Sequence, residues 1–344
     1  MIDYKRRLQS LQEKMEKKDL DIIVLGAGPD FQYVTGAGLD WRRFRDLKYP
    51  ADAVFVPLEG EPVILTGMGS KSKAVESWIH DVRGLGMFED FHPAVEGIIN
   101  DIVEEPERVA IGEYTWASMV LSVARCCKGA KFISAEGMMD DLRCTKSQDE
   151  ISKLSKVARL TDEVMEQVIE ELSAGDTMRE TTLKIETMGR QRKASDISFP
   201  TTAGFCKSNS PETDEVFNYG RDQGLEERTS IAFDVGFVLD GYCSDWGRSL
   251  YYGEPEVHIL NAYPSLMTAV VETIDAIGEE VQKVNEIFPY IEKVCDREGY
   301  GDYLRNRHPN GVVGHQIGVE VHESPWLKPS NDDYIQDGMV FCME

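Results

Sequence analysis

The sequence predicts an α/β domain over residues 1–143 followed by an α+β domain over residues 144–344. Three observations carry this. Short apolar runs alternate with helix-spaced stretches as far as residue 127. A helix-start signal at Ser147 opens a new segment. From residue 198 the sequence becomes strand-rich, and carboxylates and histidines gather beside glycines. Alternation of strand and helix builds layered α/β units, whereas helices followed by a run of strands build α+β ones.

Residues 4–18 have helical spacing, with Leu8, Leu11 and Met15 on one side. Strand-like runs follow at 21–25, 52–56, 62–66 and 108–111, with helical stretches near 69–79, 93–104 and 114–127. Ser147-Gln148-Asp149-Glu150 reads as a capping box: the serine oxygen accepts from an early amide and the glutamate reaches back. Behind it Ile151, Leu154, Val157, Leu160, Val164 and Val168 form a helical stripe, which Gly175 is expected to close. Thr177-Met178-Arg179-Glu180 opens a second helix in the same way. A long helical region over 257–298 is expected to break or kink at Pro264, which lacks an N–H. No solenoid-period repeat and no low-complexity stretch is present.

At 344 residues the chain is long enough for two domains, and 42% hydrophobic residues supply their cores. The net charge of −24 repels phosphate backbones and anionic lipids, so neither nucleic acid nor membrane is an expected partner. The cysteine count is odd, at seven, without a CxxC pair, which fits reduced thiols and a cytoplasmic setting. The N-terminus lacks an apolar signal core, and runs such as Ile22-Ile23-Val24-Leu25 are too short to span a bilayer.

Several motifs are set aside. The Gly-x-Gly pairs at 26/28, 36/38, 67/69 and 84/86 lack the third glycine of a dinucleotide fingerprint and read as turns. No Gly-Lys dipeptide marks a P-loop, and no Gly-x-Ser-x-Gly marks a serine nucleophile. Cys126-Cys127 reads as a buried thiol pair in a helix.

Chemistry concentrates in three later segments. In the first, apolar residues lead into Asp234, a turn follows at Gly241, and a second strand returns through Asp245. A hairpin can bring 234 and 245 to one face. Two buried carboxylates repel strongly unless cations lie between them. Taken alone, the pair also fits turn aspartates of an acidic chain. In the second segment, Gly314-His315 and His322-Glu323-Ser324-Pro325 place two of only six histidines among small and apolar residues. His315 offers an imidazole nitrogen suited to Zn, Fe, Mn or Co. His322 lies seven residues on, so a plain strand would point the two apart, and a turn or bulge must intervene for both to face one cleft. In the third, Gly338-Met339-Val340-Phe341-Cys342-Met343-Glu344 is a glycine turn and an apolar strand ending in a carboxylate. Burying that carboxylate is costly unless a cation compensates it.

Together, Asp234-x10-Asp245, Gly314-His315-x-Ile317-Gly318-x-Glu320-x-His322-Glu323-x-Pro325 and Gly338-Met339-Val340-x-x-x-Glu344 resemble the pita-bread metallopeptidases: Xaa-Pro dipeptidases, Xaa-Pro aminopeptidases and methionine aminopeptidases. The resemblance covers most of the chain. Arg7-Leu8-x-x-Leu11-x-x-x-Met15, Leu20-Asp21 and Tyr33-Val34-Thr35-Gly36 are similar to the N-terminal domain of prolidases and creatinases. Leu142-Arg143-x-x-Lys146-Ser147-x-x-Glu150 is similar to their inter-domain junction.

The resemblance implies an α/β creatinase/prolidase-like N-terminal domain and a pita-bread C-terminal domain that binds two divalent ions, Mn, Co, Zn or Fe. Asp234, Asp245, His315 and Glu344 would be metal ligands, with a further family glutamate completing the set. His322 would contact the substrate carbonyl, and Glu344 would also accept the proton of the attacking water. Two such ions about 3.5–4 Å apart lower the pKa of a shared water toward neutrality. The implied reaction is hydrolysis of the bond before proline in a short peptide, by a homodimer.

Two departures qualify these expectations. Family peptidases carry a histidine before the first aspartate, near Phe217-Asn218-Tyr219 here, but no histidine lies between His92 and His258. The sequence also stops at Glu344, so the last glutamate ligand is expected beyond it and the second metal position lacks a carboxylate. Two alternatives stay open: a creatinase-like hydrolase or small-molecule lyase on the same fold, and an inactive pita-bread binding module. The retained Asp234, Asp245 and His315 argue against the last.

Overall fold

A computed structural model describes residues 2–39, 41, 52–86, 89–207 and 220–344. The chain divides into two units, Met1–Arg143 and Cys144–Glu344.

The first unit is built on a six-stranded mixed sheet. Its helices are α1 (Tyr4–Lys17), α2 (Pro29–Thr35), α3 (Lys71–Ala74), α4 (Phe91–Ile102), α5 (Ala117–Cys126) and α6 (Glu136–Cys144). Its strands are β1 (Ile22–Gly26), β2 (Ala53–Pro57), β3 (Val63–Gly67), β4 (Asp81–Leu85), β5 (Arg108–Ile111) and β6 (Lys131–Ser134), in the order β4-β3-β2-β1-β5-β6. Strand β1 pairs antiparallel with β2 and parallel with β5. All its residues are buried, as expected of a central strand covered on both faces. Val95, Ile98 and Ile99 of α4 and Met119 and Val123 of α5 complete this core.

The second unit opens with α7 (Gln148–Glu170) and α8 (Met178–Gln191). Both begin with complete capping boxes, at Ser147/Glu150 and Thr177/Glu180. Strands β7 (Asp196–Ile197), β8 (Thr202–Lys207), β9 (Thr229–Val235), β10 (Phe237–Leu239), β11 (Tyr242–Cys243) and β12 (Trp246–Tyr252) follow. Helices α9 (Val257–Ala276), α10 (Ile287–Glu298) and α11 (Gly301–Arg307) come next, then β13 (Gly314–Gln316), β14 (Glu323–Trp326) and β15 (Phe341–Met343). The strands form three small sheets, β11-β10-β7, β12-β9-β8 and β14-β13-β15. Val157, Val164 and Val168 of α7 share one core with Ile231, Phe233 and Val235 of β9. Burial of each such side chain contributes about 1.5–3 kcal/mol.

Four local expectations are corrected. The helix expected over 69–79 is only Lys71–Ala74. Beyond it, Ser77 Oγ donates to the Thr35 carbonyl and Trp78 Nε1 to the Val34 carbonyl, contacts that draw the chain away from helical geometry. The helix at 148 ends at Glu170, not at Gly175. Gly175, with φ +91°, serves the next turn, where its amide donates to the Leu225 carbonyl. Pro264 lies inside α9 without ending it. The small-residue face Ser265, Ala269, Thr273 and Ala276 is buried and holds the helix through that point, and the chain leaves helix at Ile277 instead. Gly84 lies within β4 rather than in a turn.

Candidate metal centre

Each element at this site is fixed by its own sequence. Along β9 burial alternates, with Ile231, Phe233 and Val235 buried, so Asp234 falls on the opposite face. Strand β12 returns antiparallel to β9, pairing Trp246 with Val235 and Gly247 with Asp234. The return is made by β10 and β11, joined at Asp240-Gly241, where both residues have positive φ (51° and 83°). That is the conformation of a two-residue hairpin turn, and it suits an Asp-Gly pair. Asp245 lies just before β12. The preceding Ser244 is pinned: its hydroxyl accepts from the Phe237 amide at 2.9 Å and meets Thr161 Oγ1 at 2.6 Å. Ser198 Oγ donates to the Ser244 carbonyl at 2.9 Å.

Strand β13 lies between β14 and β15, with His315 opposite Cys342. Gly314, at φ +145°, allows this approach, because a Cβ there would sit 2.0 Å from the Cys342 carbonyl oxygen. The register of β13 against β14 shifts between His315 and Gln316, and a turn over 318–322 separates the strands. This irregularity brings the two imidazoles together, with centroids 4.5 Å apart and rings nearly perpendicular. His322 also stacks on Trp326 at 5.3 Å.

Two of the expected carboxylates, Asp245 and Glu344, meet His315. His315 is buried, and its Nε2 lies 3.3 Å from Asp245 Oδ2 and 3.2 Å from Glu344 Oε1. Its Nδ1 donates to the Gln316 carbonyl at 2.9 Å, which fixes the ring and leaves Nε2 to face the carboxylates. Donors about 2.1 Å from one ion lie about 3.0 Å apart at right angles and about 3.4 Å at tetrahedral angles. Both separations fall within that interval, so His315 Nε2 is placed to share a cation with either carboxylate. The Asp245 side chain is 7% exposed, whereas that of Glu344 is 57% exposed.

The electrostatics agree. Asp234 is exposed as a residue, but its carboxyl is near enough to Asp245, Glu344 and His315 to feel their charges. Partial burial of that carboxyl, then Asp245 and Glu344, push its pKa up to about 6. Burial opposes the charge on His315, but hydrogen bonds to Asp245, Glu344 and the Gln316 carbonyl outweigh it and raise the pKa to about 10. His322 is lowered, first by burial and then by His315. Glu344 is lowered, chiefly by its bond to His315. Two carboxylates thus contact one imidazolium and a third adds its charge nearby, a balance that a divalent cation can take over once the imidazole loses its proton.

Sequence reasoning missed two features. Among the described residues, Asp245, His315 and Cys342 bring one donor atom each within 4.8 Å of one another. Cys342 stands two residues before Glu344 on a strand, so the alternation of β15 was the signal that could have found it. The second is a buried pair under the loop: Lys146 Nζ lies 3.2 Å from Glu323 Oε2 and donates to Gln316 Oε1 at 2.5 Å. The segment Phe217-Asn218-Tyr219, where a family histidine was sought, lies outside the described residues.

Comparison with known proteins gives concordant results. Residues 152–344 match metallopeptidase family M24, and residues 7–145 match the Creatinase/Prolidase N-terminal domain. A Bacillus subtilis protein described as putative dipeptidase YkvY is 28% identical over 297 residues, covering 85% of this chain and 78% of that one. The Xaa-Pro dipeptidase of Pyrococcus horikoshii is 22% identical over 347 residues, covering 98% and 88%. The crystal structure of a recombinant prolidase from Thermococcus sibiricus superposes with a TM-score of 0.81 at 24% identity, covering 99% of this chain and 89% of that one. That likeness establishes the fold: an α/β N-terminal domain and a pita-bread catalytic domain. More than half of the sequence matches the catalytic family, and the chain therefore belongs to metallopeptidase family M24, whose members are hydrolases that use divalent metal ions.

Proposed function

We propose that this protein hydrolyses the bond before proline in dipeptides or short peptides. The observation that carries the proposal is the convergence of Asp245 and Glu344 on His315 Nε2, with the Asp234 carboxyl within electrostatic reach and His322 beside it. Asp234, Asp245, His315 and Glu344 would hold two divalent ions, Mn, Co, Zn or Fe. When bound, such ions polarise the scissile carbonyl and lower the pKa of a water. His322, with its lowered pKa, is neutral at neutral pH and donates a hydrogen bond to the oxyanion that develops on the carbonyl. Glu344 would accept the proton of the attacking water and pass it to the leaving proline nitrogen, which departs as the amine. A proline imide has no N–H, so no acceptor need be provided for it in the pocket.

The names of the relatives, a putative dipeptidase and an Xaa-Pro dipeptidase, support this substrate class. Cys126, Cys127, Cys295 and Cys342 are free thiols, in keeping with the proposed cytoplasmic setting. No described helix is long and apolar enough to cross a membrane. The proposal includes a homodimer and no nucleic-acid or membrane partner, in keeping with the acidic charge. It also takes residues 1–143 as the creatinase/prolidase-like domain and residues 144–344 as the catalytic one.

The test is hydrolysis of Ala-Pro and Gly-Pro against Ala-Ala by the metal-loaded protein. Release of proline without cleavage of Ala-Ala supports the proposal. A loaded protein inert on both proline dipeptides would overturn it. The lack of any histidine between His92 and His258 favours one second reading, a hydrolase of small amide or amidino compounds. Turnover of creatine by a protein inert on dipeptides would establish that reading.

A further inference from the structure

We infer that Cys342 is a sulfur ligand of the metal centre and biases it toward thiophilic ions. The inference rests on the reading of this cluster as a metal site. Cys342 is the direct cross-strand partner of His315, and directly opposed residues of an antiparallel pair point to the same face. Residues two apart on a strand also share a face, so Cys342 and Glu344 of the β15 segment project to the same side. Two independent placements thus aim the thiol at the cluster. Its sulfur lies within 4.8 Å of donor atoms on both His315 and Asp245. Donors at tetrahedral angles about one ion, with metal–nitrogen or metal–oxygen bonds of about 2.1 Å and a metal–sulfur bond of about 2.3 Å, lie about 3.6 Å apart. Closing the set from the 4.8 Å bound therefore takes a movement of about 1.2 Å at most, within the reach of a side-chain rotation.

On binding, the thiol releases its proton to solvent and the thiolate sulfur donates an electron pair to the ion; nothing is oxidised or reduced. A coordinating thiol is deprotonated outright by the ion it binds. The consequence is selectivity. A site of carboxylates and one imidazole already binds Mn more weakly than Co or Zn, and a thiolate ligand widens that gap. The residue is half-buried.

Cobalt separates the inference from the metal reading beneath it. The full chain is stripped of metal and titrated with Co²⁺. Visible d–d bands report occupancy, and a near-ultraviolet sulfur-to-cobalt charge-transfer band reports the thiolate. The wild type is expected to show both. Cys342→Ser is expected to keep the visible bands and lose the near-ultraviolet band, and its affinity for Zn²⁺ relative to Mn²⁺ should fall by about tenfold or more. The retained visible bands show that the variant folds and binds. Asp245→Ala should lose both. Visible bands without the near-ultraviolet band in the wild type, or a charge-transfer band that persists in Cys342→Ser, would overturn the sulfur ligand alone. Absence of visible bands from the wild type would overturn the metal reading and the inference together.

Discussion

Two imidazoles with centroids 4.5 Å apart, His315 and His322, are displaced in opposite directions from the ordinary histidine pKa. The difference follows from their partners. His315 touches two carboxylates, whereas His322 meets a histidine and an indole. A histidine whose folded pKa lies above its unfolded value stabilises the fold fully below the unfolded pKa, and that contribution is lost as pH rises through the folded value. In metal-free protein the contribution of His315 is full below about 6.5 and lost above about 10. The excess Tm of wild type over His315→Gln, measured in EDTA, should therefore shrink from pH 6.5 to pH 10. An excess that grows across this window would contradict the assignment. With metal present the sign reverses, because the ion must displace a proton from His315; affinity should rise with pH through the same window. His322→Ala should lower kcat by about 10²–10³ with KM and metal content nearly unchanged, as for loss of one oxyanion donor. Steady-state kinetics on Ala-Pro checks this, and loss of metal from that variant would place His322 among the ligands instead. At this scale Asp234, Asp245, His315, His322 and Glu344 were legible because they stand out chemically from their apolar and glycine-rich surroundings. Cys342 was not, since a thiol in an apolar strand looks like core until its cross-strand partner is known.

The elements that could be read from sequence were those with local signals. The capping boxes at Ser147 and Thr177 depend on residues three apart and form as expected. Strands β4 and β6 and helices α2 and α6 carried no comparable signal. Val82-Arg83-Gly84 and Lys131-Phe132 are paired by neighbouring strands rather than by their own composition. Pro264 shows the same competition: one missing N–H is outweighed by the packed face of α9. The ion pair Lys146–Glu323 also depends on tertiary structure, for it joins residues flanking α7 and His322 with side chains 1% and 3% exposed. An exposed pair of this kind contributes about 0–1 kcal/mol. Breaking a buried one strands a charge, so Lys146→Met should destabilise by about 3–5 kcal/mol. The double variant Lys146→Met with Glu323→Leu should recover part of that loss. Urea unfolding measures both, and a loss below about 1 kcal/mol for Lys146→Met would mean that Glu323 is compensated by other groups.

For the whole molecule, the second unit draws its centre from three segments far apart in sequence, β9 to β12, β13 to β14, and β15. Its like charges are apposed in the folded state and dispersed in the unfolded chain, so a cation that binds only the folded state stabilises it by mass action. At a free ion concentration one hundred times Kd the gain is about 2.7 kcal/mol. Scanning calorimetry should accordingly show Tm rising with Mn²⁺, Co²⁺ or Zn²⁺ in the wild type and not in Asp245→Ala. The α/β and α+β classes were readable because hydrophobic period and capping are properties of the chain itself. Which strands would pair, and hence that Cys342 faces His315, is a property of the fold. The most direct test is calorimetric titration of metal-free protein with Co²⁺ or Mn²⁺, comparing the wild type with Asp245→Ala. Saturable binding in the wild type, weakened at least about tenfold in the variant, is the expected result. Affinity and stoichiometry that are the same in both proteins would show that the ion binds elsewhere and would contradict the metal centre.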